Sequence, residues 1–232
     1  MKLSQKTIDV IKNFSTINQG MLFKTGSQLK TVSPQKNILA VANIEDSVAN
    51  EFAIYDLNQF LSILSLSSDN EFEVEEDNIS IKNKIESANG ESADISVIFR
   101  SASKNMIVSP PDKEIQFPEP EVHLNISSNV INTVFRTASI LQSPHIGISS
   151  DGVDVYLSAL DITGAKSHLC KIKFAQGNGD VYNMTFKIES LKLFPGDYEL
   201  HISSAGVSHW KNKTSDVQYW ITVEPGSTYQ KG

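Results

Sequence analysis

Two stretches of the chain carry the same parts in the same order. "FAIYDLNQFLSILSLSSDNEFEV", from Phe52 to Val74, and "KIESLKLFPGDYELHISSAG", from Lys187 to Gly206, each hold a short apolar helical segment, a break and an alternating strand. A chain that repeats such a unit is constrained to build two similar halves, each burying its own helix stripe against its own strands. The 232 residues suffice for two domains of ordinary size.

The wider pattern agrees. Ile8, Ile11, Phe14 and Ile17, with Val10, form an apolar stripe at helical spacing, and Ser4 stands where an N-cap belongs. Short alternating segments broken at Gly26 and Pro34 predict strands up to Ile44. Asp56 then caps a short helix whose inward residues are Leu57, Phe60, Leu61 and Leu64, before three more strands, "EFEVEE", "ISIK" and "ADISVIF". After a proline-rich stretch the order restarts. Ser127 or Ser128 begins a helix that runs to about Leu141. "IGISSDGVDVYLSAL" and "HLCKIKFAQGNGDVYNMTFKI" each predict a hairpin, because Asp-Gly and Asn-Gly favour tight turns between alternating runs. A fourth, short helix is expected over residues 189–194, with "DYELHIS" opening the closing strands. The class is therefore α+β. Residues 1–108 are expected to form one domain, residues 109–121 a proline-rich connector, and residues 122–232 a second domain.

Little in the chain points to catalysis. His123, His145, His168, His201 and His209 are scattered, and His168 with Cys170 lacks zinc-ligand spacing. "QGNGD" lies between strands, without the strand-to-helix setting of a phosphate loop. Turn chemistry accounts for Asp151 and Gly152 without a carboxylate pair. No catalytic residue, metal or cofactor is expected, and the chain reads as a protein that is not an enzyme. The N-terminus has no continuous apolar core of a secretory signal, no segment is long enough to span a membrane, and one cysteine suits a reducing compartment.

The net charge of −7 sets average electrostatics against nucleic acid, so a role on DNA needs a local basic surface or a topological hold. The helix regions do hold cations: Lys2, Lys6 and Lys12 in or beside the first, Arg136 in the third and Lys192 in the fourth. Asn129, Asn132 and Thr133 share the Arg136 face and leave it free of acids.

"MKLSQKTIDVIKNFSTINQG", "AIYDLNQFLSILSL", "SVIFRSASKNMIVSPPDKEIQFP" and "LKLFPGDYELHIS" stand in the same order as in the sliding clamps of T-even-like bacteriophages, which the chain resembles from Met1 to about Val223. The resemblance implies the processivity fold of a DNA clamp: two similar domains per chain, closing head to tail into a homotrimeric ring with helices inside and sheets outside. It implies topological, non-specific tethering of duplex DNA, with Lys2, Lys12, Arg136 and Lys192 at basic positions of the family, Lys6 near another, and Ser139 where a basic residue is usual. The implied partners are the phage DNA polymerase, a clamp-loader ATPase, and late-transcription coactivator and sigma-like factors, in the cytoplasm of an infected bacterium. A pocket near the connector would receive partner tails, with Ile107, Val108 and Phe117 as its apolar candidates. The alternative is an oligomeric β-rich phage assembly or adaptor protein that does not encircle DNA.

Overall fold

The structure is a computed structural model that describes residues 1–66, 71–86, 92–113, 115–164 and 168–232. The chain divides into two compact units, Met1–Asp112 and Lys113–Gly232.

Unit 1 starts with α1 (Gln5–Ser15), which buries Ile8, Val10, Ile11 and Phe14. Ser4 is its N-cap, its hydroxyl oxygen accepting from the Thr7 amide at 3.3 Å. Strands β1 (Met21–Phe23), β2 (Gly26–Val32), β3 (Ile38–Val48) and β4 (Phe52–Ile54) follow. Next come α2 (Leu57–Leu64), then β5 (Phe72–Val74), β6 (Asn78–Glu86) and β7 (Ser92–Arg100). A single 3-10 turn, Lys104–Met106, precedes the prolines. β1 pairs with β4, β2 with β3, and β6 lies between β5 and β7, all antiparallel. Lys2 forms a bridge with Glu71, beside β5.

The core of unit 1 is built on phenylalanine. Phe23 stacks on Phe52 at 4.4 Å, while Phe60 of α2 meets Phe72 edge-on at 5.5 Å and lies 5.8 Å from Phe99. Such pairs add to the area they bury. One helix turn thus joins β1, β5 and β7 through a single ring.

Unit 2 repeats this plan. β8 (Val122–Ile126) leads into α3 (Ser128–Leu141), then β9 (His145–Asp151), β10 (Asp154–Leu160), β11 (Cys170–Gln176) and β12 (Val181–Lys187). A 3-10 turn, Ile188–Ser190, precedes β13 (Tyr198–Ser203), β14 (Val207–Asn212), β15 (Val217–Thr222) and β16 (Thr228–Gln230). One sheet runs β11-β10-β9-β12-β16. In the other set of pairings β8, β13, β14 and β15 are successive antiparallel neighbours. Several of these pairings have counterparts in unit 1. β12 pairs with β9 as β4 pairs with β1, and β8 pairs with β13 as Lys2 bridges Glu71. The duplication read from the order of parts is a duplication of pairings.

Two expectations are corrected here. The fourth helix is only the 3-10 turn Ile188–Ser190, because Pro195 and Gly196 follow within six residues and nothing caps its start by a side chain. The second predicted hairpin is not one: β11 pairs with β10, and β12 with β9. The Gln176–Asp180 stretch crosses the β9–β10 turn, with the Gly177 amide donating to the Val153 carbonyl and the Gly179 amide to the Gly152 carbonyl. A Cβ on Gly177 would stand 2.6 Å from the Gly152 oxygen, so the crossing demands glycine. The first hairpin forms as expected, β9 against β10, and the Asp151 carboxylate accepts from the Val153 and Asp154 amides.

Candidate nucleic-acid interface

The candidate DNA-facing residues of unit 1 lie on and before α1. Lys2, Lys6 and Lys12 are all exposed. Their electrostatic surroundings differ. Lys6 Nζ sits 2.5 Å from Glu45 Oε1, and this hydrogen bond holds the ammonium above its usual range. Lys12 Nζ is 3.5 Å from Asp9 Oδ1 on the preceding turn. Both cations therefore share their field with an acid, and an exposed pair of this kind is worth little to stability and reduces what a phosphate would feel.

In unit 2, α3 buries Ile131, Val134 and Ala138 and turns Asn129, Asn132, Thr133 and Arg136 to solvent. Thr133 Oγ1 donates back to the Asn129 carbonyl at 2.7 Å, so its hydroxyl is held along the helix. The face is free of acids, and among the described residues Arg136 has no ion pair. Ser139 is exposed on the same helix. Lys192 lies beyond the 3-10 turn rather than on a helix, and it is half-buried. Arg136 is thus the helix cation of these five with the least compensation.

Both long helices are anchored at their N-termini by carboxylates from distant positions. Asp46 Oδ2 on β3 accepts from the Ser4 amide and the Ser4 hydroxyl, each at 2.8 Å. Burial pushes Asp46 up, but hydrogen bonds from Thr7 and from Ser4 outweigh it and hold the carboxyl below its usual range. In α3 the Ser127 side chain makes no cap; Asp197 Oδ1 accepts from the Ser128 amide at 2.7 Å instead, and that bond keeps Asp197 below the usual carboxylate range. A helix N-terminus attracts anions, and here each site is filled by the chain itself. Their positions, 42 and 69 residues from their partners, carry no local sequence signal.

The three apolar partner candidates have different surroundings. Ile107 is buried, close enough to Gly20 that a Cβ there would stand 2.9 Å from Ile107 Cδ1. Val108 is exposed, and its carbonyl accepts from buried Asn18, whose Nδ2 also donates to the Val32 carbonyl. Phe117, in unit 2, is half-buried with its ring 5.6 Å from the His209 ring. A cavity of about 160 Å³ in unit 1 mixes apolar Leu22 and Pro110 with Lys24, Lys30, Ser109 and Asp112, and Lys24 is paired to Asp112. Its lysines come from the β1–β2 region.

The description "DNA polymerase processivity factor" belongs to the family model that matches residues 2–108. The sliding clamp of Escherichia phage RB69 is 32% identical over 236 residues, covering 99% of each chain. The sliding clamp of Vibrio phage KVP40 is 29% identical over 230 residues, covering 97% of this chain and 99% of the relative. Among solved structures, the A. fulgidus PCNA bound to the C-terminal region of FEN-1 superposes with a TM-score of 0.67 at 12% identity, over 98% of both chains. At that identity the likeness is one of fold.

Proposed function

Because the chain belongs to the sliding clamps, the DNA polymerase processivity factors, which are not enzymes, we propose that it encircles duplex DNA as a homotrimeric ring and tethers the phage replicative polymerase. The observation that carries this reading is the end-to-end similarity to phage sliding clamps, 99% of each chain for the RB69 protein. The duplication gives it a physical rationale. Two similar units per chain, joined through residues 109–121, let three copies build a ring of six alike segments by head-to-tail contacts. Edge strands supply surfaces for such a contact. β7 is paired only through β6 and β11 only through β10 among the described residues, and Ile98 and Leu169 beside them are exposed.

Three copies carry −21, three times −7, so long-range electrostatics oppose free association with DNA. The ring holds its track by closure. Arg136, Lys192, Lys2, Lys12 and Lys6 offset phosphate charge locally, within the about 8–10 Å over which salt leaves such contacts effective. That the C-terminal region of FEN-1 is bound to A. fulgidus PCNA supports docking of partners on this protein by a terminal peptide, and we place that docking beside the connector. On this reading Ile107, Val108 and Phe117 are the proposed apolar residues that receive such a peptide. A clamp-loader ATPase, late-transcription coactivator and sigma-like factors complete the proposed partners, in the cytoplasm of the infected cell.

The test is retention on circular DNA after ATP-dependent loading, before and after linearisation. Loss on cutting the circle is expected, and equal retention on both forms would overturn the topological mechanism. Replacing Arg136 and Lys192 with Ala should lower loading or processivity while the trimer, read by mass in solution, stays intact.

A further inference from the structure

Unit 2 carries a titratable cluster for which the DNA-tethering reading has no use. His123 on β8 is the direct cross-strand partner of His201 on β13, His201 of His209 on β14, and His209 of Trp220 on β15. Direct partners project from one face of a sheet. The four rings accordingly form a transverse row, with centroids 4.8, 6.1 and 4.6 Å apart, and the last pair is stacked within 9°. Their sequence neighbours Leu124, Leu200, Trp210 and Ile221 point the other way, into the core.

The segment leading into β8 rests on this row. The Phe117 ring meets the His209 ring, and His123 Nε2 donates to the Pro120 carbonyl at 3.1 Å. Its far end is fixed by other means: the Glu121 amide donates to the Ile202 carbonyl, and the Glu121 carboxylate accepts from the Ser204 amide and hydroxyl. Residues 115–120 therefore have one rigid anchor and one seat made of imidazole.

We propose that the His123–His201–His209 row seats residues 115–120 and that His209 is its proton-sensitive member, holding Phe117 on the sheet when neutral and releasing it when charged. The groups facing His209 decide the sign. Glu199 and His201 come from β13, Lys211 from its own strand, Gln218 and Trp220 from β15, Phe117 from the segment, and His123 stands one strand beyond His201. Gln218 Oε1, 2.9 Å from Nε2, accepts from the charged ring and so favours it. A charge on His209 meets His201 and Lys211, both capable of its own sign, while Glu199, the only acid among these groups, is already 3.2 Å from His201 Nε2. The face of Trp220 attracts a cation. Burial nevertheless dominates and holds the His209 imidazole below its usual range. A seated state with a depressed imidazole pKa binds fewer protons than the released one. Seating is thus complete above about pH 6.5, the ordinary imidazole value, and weakens as pH falls through it.

The experiment follows the Phe117 and His209 NMR signals of the full-length protein from about pH 8 to about pH 5.5, the range of imidazole titration. Phe117 is expected to shift with the His209 midpoint and to gain fast backbone motion, while the Leu200 and Ile202 amides of the underlying sheet stay unchanged. His209→Gln keeps a side-chain partner for Gln218 but cannot titrate, and the Phe117 response should be lost. A Phe117 that stays put while His209 titrates overturns the proposal, as does an undiminished response in His209→Gln. The wild-type titration decides the matter by itself if that variant does not fold.

Discussion

Unit 1 and unit 2 share a plan, yet they solve its second half differently. Where unit 1 has α2, eight residues with a side-chain cap from Asp56, unit 2 has the single turn Ile188–Ser190. The difference begins with composition. Leu57, Phe60, Leu61 and Leu64 keep helical spacing with no proline, whereas Leu191 is followed by Pro195 and Gly196. Unit 2 replaces the helix with a turn tied down by one buried side chain. Asn212 Nδ2 donates to the Pro195 carbonyl at 3.2 Å, and its Oδ1 accepts from the Thr214 and Ser215 amides at 2.9 Å each. A repeated topology thus tolerates exchange of a packed helix for a hydrogen-bonded knot, provided the strands on either side still meet their partners.

That contrast can be broken experimentally. The largest effect belongs to Phe60→Ala, which removes the fully buried ring shared by β1, β5 and β7 and should cost about 3–5 kcal/mol in denaturant unfolding. Leu191→Ala at the equivalent place in unit 2 should cost less, about 2–3 kcal/mol. Equal losses would mean that α2 organises its core no more than the turn does. Next comes Asn212→Ala, which orphans two amides and the Pro195 carbonyl and should cost about 1–3 kcal/mol. No measurable loss would show that the turn holds itself. The smallest effect is Asp56→Ala. Hydrogen bonding from the Gln59 amide holds the Asp56 carboxyl below its usual range, so its contribution is present above that range and fades as pH falls through the folded value. Wild type and variant should therefore differ slightly in thermal midpoint near neutrality and converge in acid. A gap that widens in acid would contradict the cap.

How far the sequence spoke depended on distance along the chain. α1, α2 and α3 were legible because their stripes and most of their capping residues lie within a few positions of each other. The β9–β10 hairpin was legible because Asp151 and Gly152 encode their own turn. The Asn178–Gly179 turn reverses the chain without closing a hairpin. A turn signal states that the chain changes direction, whereas the partner of β12 was chosen by Ile146 and Ile148 packing beside Met184 and Phe186. The candidate interface was legible as a set of cations and illegible as a field. Glu45 is 39 residues from Lys6, and no local pattern reports that the two would meet.

The carboxylates of Asp46 and Asp197 at the helix N-termini have a mechanical consequence. A helix end left open would give a passing polyanion a fixed notch, a place where backbone amides grip one phosphate at one register. Here both notches are already plugged by the protein's own acids. On the proposed function, what α1 and α3 would offer DNA is cationic groups on long, pliant stems, able to hand one phosphate to the next without a preferred stopping point. Such a surface would have attraction with little friction, the property of a bearing rather than a latch.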